Sequence, residues 1–282
     1  MKKKTISILI ILLVAVFSLQ AEQGAGLIGD SVKGFAQYEK GFIGLIHHSI
    51  KIGQDGTDFN YITQGGQDIL FPFERFQAGI ILSDTHTVRM LYQPLTIKTT
   101  VPFNSDVTID GTLFEAGTAM DLTYGFPFWR VSYLYDFIKS DRLEAAVGGA
   151  LQIRNASIIF EAMDGSAVTV SQNIGPVPAV ILRGRYDFNS GFFASLDATG
   201  LYASSAIING ASFDFEGSIL DASLRTGYKF AEHLDAFLNV RFLGGTAKGT
   251  SQYDNRTWSE SVSQYTENYL STYSVTVGAT LR

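Results

Sequence analysis

The sequence predicts an all-β fold, a transmembrane antiparallel up-and-down β-barrel of ten strands, and three observations carry that expectation. Apolar and polar residues alternate with a period of two over many segments. Short links alternate with long ones along the chain. Beyond residue 21 no apolar run reaches the length of about 20 residues that a membrane-crossing helix needs. Eight or twelve strands would satisfy the same even-number pattern, and ten is the count that the links give.

The first 21 residues stand apart. Lys2, Lys3 and Lys4 form a basic start, Ile6 to Phe17 is nearly continuous hydrocarbon, and Leu19-Gln20-Ala21 ends in a small residue. This is the three-part plan of a secretory signal peptide, expected to be cleaved after Ala21. Its removal would leave 18 basic residues against 27 acidic ones. So acidic a chain is a poor partner for nucleic acid, whose binding draws on concentrated Lys and Arg. The chain has no Cys, so a disulfide framework and a lipid-modified N-terminal Cys are both excluded. Residues 22–39 show no clear strand pattern and are expected to form a periplasmic N-terminal segment, either a short tail or a piece tucked into the barrel mouth. The barrel itself is expected over 40–282.

Strand by strand, the alternation is consistent. Leu143, Ala145, Val147, Leu151 and Ile153 oppose Glu144, Gly148, Gln152 and Arg154. Val180, Leu182, Tyr186 and Phe188 oppose Arg183, Arg185 and Asp187. Leu220, Leu224 and Tyr228 oppose Asp221, Arg225 and Lys229, while Leu234, Leu238 and Val240 oppose Asp235, Asn239 and Arg241. A helix, with its period of 3.6, would mix these sets. Strands are expected near 40–53, 72–83, 86–100, 118–137, 143–160, 168–188, 191–206, 215–229, 233–248 and 265–282.

The links give an independent signal. Those near Asp84, Asp141, Ser190 and Glu232 are short. Those near 54–71, 101–117, 161–167, 207–214 and 249–264 are longer, and polar or Gly-rich. Short periplasmic turns and long extracellular loops distinguish outer-membrane barrels. Aromatics on the apolar parity collect at the short-link ends: Tyr133, Tyr135, Phe137, Tyr186, Phe188, Phe192, Tyr228 and Phe230. They are candidates for an interfacial girdle. At Gly125-Phe126-Pro127-Phe128 the parity is expected to switch, with Asp121 and Thr123 inward before a bulge and Arg130, Ser132 and Asp136 inward after it.

Parity places Arg75, Arg89, Arg130, Arg154, Arg183, Arg185, Arg225 and Arg241 inside the barrel, with Asp136, Glu144, Asp187, Asp197, Asp221 and Asp235. A lipid-facing Arg near mid-membrane costs about 2–4 kcal/mol, so inward placement is the physical expectation. These residues either pair with one another and fill a narrow lumen, or line a track for a small polar or anionic solute. The width of a ten-strand barrel leaves both open.

Other constellations are weaker. His47-His48-Ser49 carries a His-x-Ser pair similar to that of outer-membrane lipid A deacylases, and parity points His47 and Ser49 inward. The loop Gly53-Gln-Asp-Gly-Thr-Asp-Phe-Asn-Tyr61 lacks the ligand spacing of a calcium loop. Gly244-Gly-Thr-Ala-Lys-Gly-Thr250 lacks the ending of a phosphate loop. No metal and no cofactor is expected.

The final strand, Tyr273-Ser-Val-Thr-Val-Gly-Ala-Thr-Leu-Arg282, completes a resemblance to small bacterial outer-membrane β-barrel proteins. Gly278 and Leu281 fit their C-terminal pattern, and Arg282 stands where the terminal aromatic is usual. The resemblance implies outer-membrane lipid and the barrel assembly machinery as partners, with the protein in the outer membrane. The functional expectation is a porin-like barrel without enzymatic activity, binding or passing a small polar or anionic solute. The alternative is a structural or surface-interaction barrel with a plugged lumen and working loops. An enzyme acting on lipid comes third.

Overall fold

The structure is a computed structural model that describes residues 32–138, 140–204, 215–251 and 264–282. The expected signal peptide, residues 22–31, and the links at 207–214 and 252–263 lie outside the described residues. The strands are β1 (Val32–Ile52), β2 (Phe59–Asn60), β3 (Phe71–Leu82), β4 (His86–Gln93), β5 (Thr96–Pro102), β6 (Val107–Ile109), β7 (Thr112–Phe114) and β8 (Ala119–Gly125). They continue with β9 (Phe128–Asp136), β10 (Leu143–Ala162), β11 (Val168–Asp187), β12 (Phe192–Ser204), β13 (Phe215–Ala231), β14 (Leu234–Ser251) and β15 (Gln264–Leu281).

Each wall strand pairs antiparallel with its neighbours, and β15 pairs with β1 to close the ring. β4 and β5 form one strand interrupted at Pro94-Leu95, and β8 and β9 one strand interrupted at Phe126-Pro127. Counted so, the ring has the ten strands that the alternation predicts. The two interruptions lie side by side: Gln93 pairs with Phe128 below them and Thr96 with Gly125 above. Each contains a proline, which has no N–H for the ladder. The Phe126 amide bridges the gap to Leu95 O at 2.8 Å.

The links after β3, β9, β11 and β13 lie at one end, called the lower end here. In the link after β3, Ser83 and Asp84 both adopt positive φ, 52° and 57°, as the tightest hairpin turn requires. Inside the wall, Gly148 allows close approach of two strands. A Cβ there would stand 1.9 Å from Tyr133 O on β9.

The alternation has two levels. In the lower wall the outward residues are apolar and exposed, as Leu143, Val147, Leu151 and Ile153 on β10 and Tyr135, Tyr133 and Val131 on β9 illustrate. Their inward neighbours are polar or small. Above the two proline interruptions the order reverses. On β5, Thr96, Lys98 and Thr100 face out while Ile97 is fully buried, and on β8 Ala119 and Asp121 are exposed while Met120, Leu122 and Tyr124 are buried. On β10, Asn155 and Glu161 are exposed and Ile158 and Phe160 are buried.

This corrects the expected parity switch. Inward positions stay even from Met120 through Tyr124 to Phe128, Arg130 and Ser132, and Asp121 faces out. What changes at Gly125–Phe128 is the chemistry of the two faces, not the facing of the chain. An ion pair, Lys40–Glu74 at 3.8 Å, interrupts the outer apolar band.

Two further expectations are corrected. β1 begins at Val32, so residues 32–39 belong to the wall rather than to a preceding segment. A bulge between Leu45 and His47 then reverses the facing of the rest of β1. His48, not His47, points inward and is fully buried, while His47 and Lys51 share the outer parity. His47 Nε2 lies 3.2 Å from Ser49 Oγ on that outer side.

The reversed upper level encloses an apolar core to which the links contribute. Phe59 and Tyr61 come from the link after β1. Phe103, Val107, Ile109 and Phe114 come from the link around the β6–β7 hairpin. They pack on Ile50, Ile97, Met120, Leu122, Tyr124 and Phe160 of the wall. Tyr61 N donates to His48 O at 3.0 Å and Asp110 N to Ile52 O at 3.0 Å, which fastens both links to β1. Phe160 is fully buried, with ring centroids 5.1 Å from Phe59 and 5.8 Å from Tyr61. Deleting such a ring costs about 3–5 kcal/mol. Phe160→Ala is therefore expected to lower unfolding stability in detergent by about that amount, read from urea titration, while the ring of strands still closes.

Candidate functional site: the filled lumen

Below the apolar core, inward side chains from nine wall strands meet in a charged layer. Its centre is Asp221 on β13, 2% exposed. Arg241 Nη1 donates to its Oδ1 at 2.6 Å. Its Oδ2 accepts from Arg75 at 3.0 Å and Arg130 at 2.9 Å. Three guanidiniums from β3, β9 and β14 thus converge on one carboxylate across the lumen.

Glu39 on β1 is the second hub and is fully buried. It accepts from Arg225 Nη2 at 3.0 Å, Asn239 Nδ2 at 2.7 Å, Thr276 Oγ1 at 3.1 Å and Gln37 Nε2 at 2.9 Å. Arg241 Nη2 reaches it at 3.3 Å, joining the two hubs. Asp197 on β12 takes Arg89 at 2.9 Å and Arg225 at 3.7 Å. Gln152 Oε1 accepts two N–H groups of Arg130, and Gln93 Oε1 accepts from Arg75. Buried charges are tolerated when paired and further hydrogen-bonded, and this layer supplies both.

A third group lies toward the lower end. Arg185 pairs with Asp187 at 2.9 Å and Asp235 at 3.2 Å, Arg183 with Glu144 at 3.1 Å, Lys229 with Asp187 at 3.0 Å, and Arg282 with Asp235 at 2.7 Å. Taken together, these lumen ion pairs join Arg75, Arg89, Arg130, Arg183, Arg185, Arg225, Lys229, Arg241 and Arg282 to Glu39, Glu144, Asp187, Asp197, Asp221 and Asp235. Nine cations share six carboxylates. With Asp136, which acts on Arg183 without an ion pair, seven carboxylates face these nine cations below the apolar core, an excess of two positive charges in a chain that as a whole is acidic.

The structure brings together most of the residues that parity selects. Arg154 stands apart, at the junction with the apolar core. Its Nε is buried without a hydrogen-bond partner among the described residues. Asp136 is engaged by the lower turn, accepting from Ile138 N at 3.0 Å and Ala145 N at 3.1 Å. Sequence reasoning misses two members. Glu39 lies in the segment that shows no clear strand pattern, although Gln37 and Glu39 do alternate with Ala36 and Tyr38. Arg282 registers in the sequence only as a departure from a terminal aromatic, although its parity with Thr280 signals an inward position.

In the apolar core above, His48 Nδ1 meets Gln67 Oε1 at 2.6 Å, and its ring stacks on Tyr61 with centroids 4.2 Å apart. Burial pushes the Tyr61 phenol well above its ordinary range, with Tyr124 beside it adding to the shift. The cluster is neutral and closed over by rings. Among the described residues no group of His, Asp or Glu has metal-holding geometry.

Comparison with known proteins adds little to this geometry. No protein-family model and no curated sequence matches the chain. Among solved structures, the outer membrane protease OmpT from Escherichia coli overlaps 89% of this chain and 96% of its own at 9% identity, with a TM-score of 0.42. A FadL homologue from Pseudomonas aeruginosa gives 89% and 90% at 9% identity and 0.37, and the outer membrane protein OprG from the same organism 91% and 100% at 11% identity and 0.34. Likeness this slight bears on neither ligand nor activity.

Removing one partner from a buried charge cluster strands the others and costs about 3–5 kcal/mol. Asp221→Asn, which leaves three guanidiniums facing a neutral amide, is expected to lose at least that much in urea unfolding from detergent. Glu144→Gln, near the lower rim and partly exposed, is expected to lose less than about 1 kcal/mol.

Proposed function

We propose that this protein is a sealed outer-membrane β-barrel that anchors a rigid, loop-built surface at the cell exterior, and that it is not a pore. One observation carries the reading: the lumen is filled at two successive levels, by paired charges below and by an apolar core above. Of the two expectations this reading favours the plugged lumen over the solute-passing one, because inward arginines hold carboxylates from other wall strands across the barrel.

Membrane placement rests on the outer face of the lower wall. Its exposed apolar residues would cost free energy in water and gain it in hydrocarbon. The aromatics that the alternation assigns to a girdle do gather at the lower rim, as Tyr186–Phe188, Phe192–Tyr228 and Tyr228–Phe230 contacts with centroids 4.8, 5.0 and 5.2 Å apart. The short-link end would then face the periplasm. The reversed upper wall, polar outside and apolar inside, has the pattern of a water-soluble domain and would project beyond the bilayer. A signal peptide cleaved after Ala21 would deliver the chain, and the assembly machinery would insert it.

The exterior surface then belongs to links 53–70 and 103–118, held on the wall by their own core. Such an arrangement suits contact with another surface or macromolecule better than passage of a solute, and it calls for no enzymatic chemistry. His47 and Ser49 lie within hydrogen-bond reach on the outer face, but among the described residues no carboxylate hydrogen-bonds the His47 ring to orient it.

Reconstituted in a planar bilayer, the protein is expected to give no stepwise conductance at any potential up to about 100 mV; regular openings would overturn the sealed reading. The bilayer boundary has a separate test. The chain contains two tryptophans, Trp129 and Trp258. In Trp258→Phe, the emission of Trp129, which stacks on Tyr92 at 4.2 Å just below the proline interruptions, is expected to be quenched more by bromines placed shallowly in the acyl chain than by deep ones. Quenching by neither would argue against membrane contact.

A further inference from the structure

The upper wall does not close as the lower wall does. The ladder between β3 and β4 ends at Phe76–Tyr92, and above it β3 pairs only with β1. β5 pairs only with β8, so it is the last strand of the sheet and one of its edges is free. We infer that this edge docks an extended, positively charged segment of a partner protein, which adds to the sheet as one more antiparallel strand. The inference rests on the sealed reading with its exterior contact surface, and it names the place of contact and the kind of partner.

Hydrogen bonds at the two ends of the β5–β8 ladder identify the backbone groups that would hold such a strand. Phe126 N donates to Leu95 O at 2.8 Å, and Phe103 N to Thr118 O at 2.9 Å. In an antiparallel ladder these two bonds fix the phase. Ile97, Thr99 and Val101 exchange their bonds with β8, while Thr96, Lys98 and Thr100 turn N–H and C=O away from it. Among the described residues no hydrogen bond reaches those outward backbone groups. All three residues are exposed, so the row stands open to an incoming backbone. Pro94 and Pro102 bound it, which limits an added strand to about the length of β5 itself. On the other side of the break, Ile69 and Leu70 lead into β3 and are 58% and 54% exposed, offering apolar contact.

Charge selects the partner. On the outer face Thr100 stands beside Asp121 on β8, and Asp121 stands directly opposite Glu161 on β10. Both carboxylates are exposed, and among the described residues neither has an ion pair. Like charges directly opposed on a sheet are unfavourable, and a cation beside them relieves the pair. A residue of an added strand opposite Thr100 would lie two strand spacings, about 10 Å, from Asp121, a gap that the two side chains close when it is lysine or arginine. Links 53–70 and 103–118 extend the field. They carry Asp55, Asp58, Asp68, Asp106, Asp110 and Glu115, all exposed, and no Lys or Arg. Such a surface attracts and orients a basic partner. Lys98 is the cation on the edge itself, so the residue set against it must be neutral or acidic.

Calorimetric titration of the full-length mature protein in a zwitterionic detergent, corrected against empty micelles, tests this with two peptides. The probe is acetyl-Thr-Val-Lys-Val-Thr-Val-Lys-amide, which when antiparallel sets Lys opposite Thr100 and Thr opposite Lys98. The control carries Glu in place of both Lys residues. The lysine peptide is expected to bind saturably, and the glutamate peptide at least about tenfold more weakly. Asp121→Asn combined with Glu161→Gln is expected to weaken the lysine peptide about fivefold. Lys98→Pro removes an N–H from the free edge without touching a bond to β8 and is expected to abolish binding. Lys98→Thr, with the same loss of charge, is expected to retain it. Should Lys98→Pro fail to fold, Thr96→Pro, whose N–H also lies on the free edge, takes its place. No saturable binding up to about 1 mM, equal binding of both peptides, or equal binding by the proline and threonine variants overturns the inference. So does a dimer that Lys98→Pro dissolves in a protein that binds no peptide, which would give the edge to a second copy. Conductance measured on the same preparation separates the two failures: a silent barrel that binds neither peptide sinks only this docking edge, whereas an open channel sinks the sealed reading.

Discussion

A strand that alternates side chains across a closed wall has no freedom over which residues it points inward, so the interior must be stable with whatever the outer solvent leaves to it. Where the wall meets hydrocarbon, polar residues go inside, and they must satisfy one another. Where the wall meets water, apolar residues go inside, and the ordinary burial of a soluble core returns. The lumen of this protein is the joint product of those two regimes. Its charged layer and its apolar core are stacked along one axis because the surroundings change along that axis.

The two proline interruptions sit at the change of regime. Pro94 and Pro127 lie on adjacent strands at the same height, where the ladder can lose donors with least damage because both neighbours are interrupted together. Above them the wall no longer needs to be continuous for the sake of the bilayer, since backbone groups can reach water or the incoming links. The links exploit this: Phe59, Tyr61, Phe103 and Phe114 descend into the mouth and complete a core that the wall residues alone would leave open.

Much of this was legible in the sequence. The ten strands, the sorting of links by end and eight inward arginines all follow from a period of two. The failures have physical causes. Lys40 faces outward beside Glu74, and this lipid-side ion pair breaks the alternation that would have marked residues 32–39 as strand and exposed Glu39 as a hub. The rule that polar means inward holds only where the outside is oil. Applied to Asp121 and Thr123, above the interruptions, it demanded a parity switch that the chain does not make. A one-residue bulge at Ile46 reverses His47 and His48, and Gly44, one of several glycines in the strand, is too weak a signal to place it. The β6–β7 hairpin did have a signal, Asp110-Gly111 with φ of 52° and 75° between short apolar runs, but it lies within a stretch that otherwise reads as loop.

Glu39 also bears on the order in which the chain can assemble. It sits on the first strand, yet its partners Arg225, Asn239, Arg241 and Thr276 come from the last three. Until the final strand zips against the first, that carboxylate lacks all of these donors and has only Arg75, its cross-strand neighbour on β3, as a nearby cation. An unfinished, gutter-shaped sheet would thus be held back from the oil by an incompletely hydrogen-bonded anion near its leading edge. Only the completed cylinder removes the penalty, so the hub acts as a latch that rewards joining the two ends of the chain over any partial ring.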